Sequence, residues 1–176
     1  MDHPHSHDAP LPPDDLSRAL VDAGPGDAGI CHLSLAGDTY SILVSGDQTA
    51  GRSALIEMRV PSGGGPPLHR HDFEEMFSIL EGEIEFTFRG ERTVVVAGRP
   101  VNVPANALHH FRNASTAPAR MLCMCAPAGQ DAYFKRVADA VVDGPDSPAP
   151  VLDAAQRDER RAKAAALAPT YRTEFV

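Results

Sequence analysis

The sequence is poor in cysteine, short of positive charge and free of long apolar runs. Its three cysteines, Cys31, Cys123 and Cys125, are too few and too unevenly spaced for a disulfide framework, and they lack the two-residue gap of redox and zinc pairs. Cys123 and Cys125 alternate along an apolar run, so both leave one face of a strand and are badly placed to bridge each other. Free packed thiols in a reducing cytoplasm are therefore expected. Sixteen basic residues against 24 acidic ones give a net charge of −8, which disfavours non-specific attraction to nucleic acid or an anionic membrane. No segment resembles a helix-turn-helix. None approaches membrane-spanning length, and the N-terminus has no basic start followed by a hydrophobic stretch, so no signal peptide is expected.

What is present is unevenly distributed. Residues 1–37 carry six aspartates against Arg18 and read as a solvated acidic extension, with one short helix expected over 14–22 and Asp14 or Asp15 as its N-cap. His3, His5 and His7 in that extension could chelate metal only adventitiously. From Asp38 onward, short runs rich in Val, Ile, Phe and Thr recur about every ten residues between Gly and Pro, the pattern of a β-sandwich or barrel. Strands are expected at 39–45, 53–60, 75–80, 83–88, 92–97, 100–103, 108–113 and 119–125. Tyr133, Val137 and Val141 stand at helical spacing within 129–142, and the Ala-, Arg- and Lys-rich stretch 151–167 predicts a second helix with little to bury. The boundaries read as an extension over 1–37, a barrel over 38–127 and a helical extension over 128–176.

The segment 63–82, GGGPPLHRHDFEEMFSILEG, carries the chemistry. On a strand His69 and His71 leave the same face, and Glu75 keeps their parity whereas Glu74 does not. Two imidazoles and a carboxylate form a borderline nitrogen–oxygen set suited to iron, manganese, nickel, copper, cobalt or zinc. A fourth ligand is available in 98–113, GRPVNVPANALHHFRN, where spacing alone leaves His109 and His110 open. Phe73, Met76, Phe77, Phe86, Phe88 and Phe111 read as barrel filling, those facing inward making an apolar pocket around the metal, with Tyr40 as a weaker pocket candidate.

These segments resemble the two motifs of the cupin family. Gly63, His69, His71, Glu75 and Gly82 meet every position of the first motif. Gly98, Pro104, His109 and Asn113 meet the second, with Asn106 standing where the family has Gly. Asn tolerates left-handed backbone, so the turn should survive. The resemblance covers roughly 38–127 and selects His109 over His110. It implies an all-β cupin (jelly-roll) β-barrel with C-terminal helices, forming a homodimer and holding one divalent transition metal through His69, His71, Glu75 and His109. The sequence looks most like small quercetin-dioxygenase-like bacterial cupins, which implies an oxygenase acting on a small enolic or phenolic molecule, with Glu75 taking the substrate's proton. Polyketide-cyclase-like cupins share the ligand set. The rival class is a non-catalytic module that binds metal or a small ligand.

Overall fold

The protein is described by a computed structural model covering residues 10–14 and 16–176. Among these residues the chain forms β1 (Cys31–Leu35), β2 (Asp38–Val44), β3 (Ala54–Val60), β4 (His69–His71), β5 (Glu74–Glu81), β6 (Glu83–Phe88) and β7 (Glu91–Val96). They are followed by β8 (Pro100–Val103), β9 (His109–Arg112), β10 (Ala119–Ala126), α1 (Gln130–Val137), β11 (Asp139–Val141), α2 (Ala154–Leu167) and β12 (Thr173–Phe175). The strands make two antiparallel sheets, one ordered β11-β1-β2-β3-β10-β5-β8 and the other β12-β4-β9-β6-β7. This is the expected jelly-roll architecture, in which residues two apart along a strand share one face.

Turn chemistry sets the registers. Leu35 opposes Asp38 across Ala36 and Gly37, and Phe88 opposes Glu91 across Arg89 and Gly90, with all four turn residues at positive φ. That pair of conformations matches the right-handed twist of the flanking strands. Pairing then stacks the core in rows across the larger sheet: Tyr40, Met58, Met121 and Ile79 in one, and Ile42, Ile56, Cys123, Phe77 and Val101 in the next. The row above them is Ala54, Cys125, Glu75 and Val103. Phe77 meets Phe86 and Phe111 of the smaller sheet at ring separations of 5.2 and 5.6 Å, closing the core between the sheets.

Several expectations fail for identifiable reasons. Over 14–22 the described residues are turn and coil, and Asp15 lies outside them. Leu16 and Leu20 stay exposed there, and a short helix with no face to bury is not self-sustaining. Residues 31–35, read as solvated extension, form β1 and bury Leu33. The helix expected over 129–142 ends at Val137. Residues 139–141 instead add β11 to the free edge of β1, since an unpaired edge offers backbone partners that a short helix end does not. Met76 points outward, because parity places it opposite Glu75 and Phe77. The second helix forms as α2, with Asp153 and Gln156 making a reciprocal capping box and none of its residues buried. Beyond it, β12, for which the sequence carries no strand signal, pairs with β4 so that Thr173 opposes His71 and Phe175 opposes His69. No helix among the described residues is long and apolar enough to cross a membrane.

Candidate metal centre

The two motifs are tied together through backbone. The Gly63 N–H donates to the Asn113 carbonyl at 2.8 Å, and the Asn113 N–H donates to the Gly64 carbonyl at 3.0 Å. The Asn113 amide, fully buried, donates to the carbonyls of Val60 and Ala117 at 2.9 and 2.8 Å. Gly65 has φ of 131°, and a Cβ there would run into the Phe111 carbonyl, so only glycine allows this approach. Asn106 adopts φ of 67°, the left-handed turn expected of it, and its N–H donates to the His71 carbonyl at 2.6 Å. Glu74 is exposed and accepts from the Ala105 N–H and the Asn102 amide at 3.1 and 3.0 Å, which hold its carboxyl below the usual range. It braces the turn and stands outside the site.

Strand parity explains His69 and His71 but not Glu75. The chain leaves the smaller sheet after His71 and enters the larger one at Glu74, so Glu75 faces the interior from the opposite wall. His109 opens β9 directly across from His69, and His110 turns the other way, half-buried opposite Thr87. His69, His71, Glu75 and His109 are each at most 5 % exposed, and one donor atom from each lies within 4.8 Å of the others. His3, His5 and His7 lie outside the described residues.

Each imidazole is locked from behind. The Nδ1 atoms of His69, His71 and His109 contact the carbonyls of Pro67, Phe73 and Ala107 at 2.9, 3.0 and 2.8 Å. A carbonyl only accepts, so each Nδ1 carries the proton and each neutral ring turns an Nε2 lone pair inward. Two of those nitrogens face Glu75 Oε2, His71 at 3.0 Å and His109 at 3.2 Å. Lone pairs converging on a carboxylate oxygen repel unless a cation lies among them. A proton serves one ring at a time, whereas a divalent ion serves all four donors, so the donor set fits a transition metal.

Protons can stand in for that cation. Burial raises the Glu75 carboxyl, but an Nε2–H donated by the His109 or the His71 ring, once that ring takes up a second proton, outweighs burial and holds the carboxyl far below the usual range. Burial, reinforced by His109, pushes His69 down to about 4. Burial also opposes protonation of His109, yet its bonds to Glu75 and the Ala107 carbonyl raise it overall.

Phe73 stacks on His71 with ring centroids 3.8 Å apart, and Phe175 stands 6.1 Å from His69. Phe175 and Thr173 carry no sequence signal for this role, because only the pairing of β12 with β4 brings them here. Cys123 and Cys125 lie beneath Glu75, with sulfurs 3.2 and 3.9 Å from Oε1. Their alternation foretold a shared face but not which face. Two surface clefts, of about 610 and 710 Å³, are bounded by Gly46, Gly129 and Lys135, and by Arg18, Ile30 and Gln48, and include none of the four candidate ligands.

Residues 56–125, which span β3 to β10 and contain all four candidate ligands, match the family described as the cupin domain. Over these residues the chain carries a cupin domain. This cupin is 29% identical over 129 residues to the quercetin 2,3-dioxygenase of Bacillus subtilis (strain 168), covering 73% of the chain and 37% of that protein. It is 32% identical over 77 residues to an uncharacterized protein of Methanocaldococcus jannaschii, covering 43% of the chain and 62% of that protein. The cupin thus spans less than two thirds of either curated relative. A Thermotoga maritima structure described as a predicted oxalate decarboxylase superposes with a TM-score of 0.53 at 19% identity, covering 60% of this chain and 98% of that one, a likeness of fold alone.

Proposed function

We propose that this cupin is a metal-dependent oxygenase acting on a small enolic or phenolic compound, with one divalent transition metal held by His69, His71, Glu75 and His109. The observation that carries the reading is the buried cluster in which one donor atom each of His69, His71, Glu75 and His109 lies within 4.8 Å of the others, each ring fixed by a carbonyl behind it. Similarity to the Bacillus subtilis dioxygenase supports the oxygenase class. A metal in this position supplies Lewis acidity toward a substrate hydroxyl and, when redox-active, one-electron chemistry with dioxygen.

The chain's own residues do the rest. Glu75 is held ionised by His109 and His71 and is therefore in the proton-accepting form at neutral pH. Its Oε2 faces the imidazoles and would take the proton of an enol or phenol whose acidity a bound metal raises. Phe73 and Phe175 present aromatic surface beside the imidazoles, which favours a flat apolar substrate and excludes water from the cluster.

The near-complete burial of all four ligands supports a second reading, a closed module that binds metal without turnover. Metal analysis of protein purified without added metal, followed by oxygen uptake on flavonols and simpler enols, separates the two. Stoichiometric metal with substrate-dependent uptake supports the oxygenase. Stoichiometric metal with no uptake across the panel supports the module, and protein carrying only trace metal removes both.

A further inference from the structure

The two oxygens of Glu75 live in different surroundings. Oε2 faces the His71 and His109 imidazoles, whereas Oε1 faces the Cys123 sulfur at 3.2 Å and the Cys125 sulfur at 3.9 Å, and the two sulfurs are 3.7 Å apart. Strand pairing builds this arrangement. Cys125 is the direct cross-strand partner of Glu75, and Cys123, two residues earlier, shares its inward face. Both thiols are fully buried, with Ala54, Ile56, Phe77 and Val103 as their apolar neighbours in the same rows.

We propose that Cys123 is a positioning residue of the metal centre, donating its S–H to Glu75 Oε1, with Cys125 packed behind it, so that the carboxylate presents Oε2 alone to the imidazoles. The inference rests on reading the four-residue cluster as a metal site. A thiol is a weak donor to neutral acceptors and a better one to an ionised carboxylate. Glutamate has three side-chain torsions, and with Oε1 untethered it can turn to offer both oxygens to one ion. Tying Oε1 down makes Glu75 a one-oxygen ligand. That leaves a coordination position open for a substrate oxygen and keeps Oε2 as the single proton acceptor.

The test uses full-length protein loaded with Co(II), whose visible d–d absorption weakens as coordination number rises. Cys123→Ala should weaken that absorption as Glu75 becomes two-oxygen, and should lower cobalt affinity by roughly 10–100-fold, the range for losing a partner behind a ligand. Cys123→Ser keeps a donor and should retain the wild-type spectrum. Cys125→Ala removes the same volume from the neighbouring row while leaving the shorter contact, and should also retain it. A Cys123→Ala spectrum and affinity equal to wild type overturn the proposal. So does an equal change in Cys125→Ala, which would make the effect one of packing. The infrared S–H stretch of the unsubstituted protein reads the same bond if the alanine variant does not fold. A low-frequency component lost in Cys123→Ser supports the donor role, and its absence from wild type overturns it. Wild-type protein that takes up no cobalt removes the metal reading and this inference together, whereas cobalt uptake indifferent to Cys123 removes only the inference.

Discussion

Asp38 should make this fold less stable as pH rises from about 4 to about 7. It begins β2, faces inward and is 1 % exposed. Tyr40 donates to its Oδ2 at 3.1 Å, while Oδ1 has no hydrogen-bond partner among the described residues. Burial raises the carboxyl to about 7, against the opposing pull of the Tyr40 hydroxyl and the Gly65 amide. The folded chain therefore keeps this proton where the unfolded chain, titrating near 3.8, has lost it. Fewer protons on the unfolded state mean stability falls with increasing pH across that window. A carboxyl moved this far contributes about 4 kcal/mol, fully present below about pH 4 and lost above about pH 7. Asp38→Asn cannot ionise and lacks this slope, although its buried amide costs about 1–3 kcal/mol at every pH if a donor goes unmet. Urea unfolding of both proteins, stripped of metal, at several values between about pH 4.5 and 8 gives the difference directly. That range captures most of the fall, so the variant should gain on wild type by about 3 kcal/mol across it. A difference that moves by less than about 1 kcal/mol, or in the opposite direction, would refute the assignment of a buried carboxyl that keeps its proton in the folded chain.

Three further outcomes follow from the site. His109→Ala should lose metal affinity by more than the roughly 10–100-fold typical of an outer partner, while His110→Ala stays within about twofold of wild type, as read by metal content and cobalt titration. The reverse pattern would show that His110 is the ligand. Glu75→Gln should retain partial metal binding yet lose turnover by roughly two to four orders of magnitude on whichever substrate the oxygen-uptake screen yields; wild-type turnover in a metal-loaded variant would exclude the proton-acceptor role. Removing 172–176 deletes β12, its ladder with β4, the Phe175 ring beside His69 and the bond from the Val176 N–H to the Leu68 carbonyl. Loss of about 1–2 kcal/mol of closure should speed metal extraction by a chelator about tenfold, and an unchanged rate would show that the C-terminal strand does not gate the site.

The barrel strands and the four residues that cluster as candidate ligands were legible because both depend on local chemistry. Alternation, punctuating glycines and prolines, and fixed spacing between histidines and a carboxylate are properties of neighbours along the chain. Asn106 was legible for the same reason, since a left-handed turn is a demand on one residue. What lay beyond the sequence was set by partners distant along the chain. Residues 31–35, 139–141 and 173–175 became strands because edges of the sheets were there to receive them, and in isolation each is too short to declare itself. Glu75 reached the site from the opposite sheet, so the parity that seemed to place it was not its cause. The sequence by itself determined the fold class, the motif residues and the donor chemistry, all encoded in residue type and spacing. Only tertiary structure decided which face Cys123 and Cys125 share with Glu75, and that Phe175 stands against His69. Those contacts exist through strand register, and register is a property of the assembled sheets.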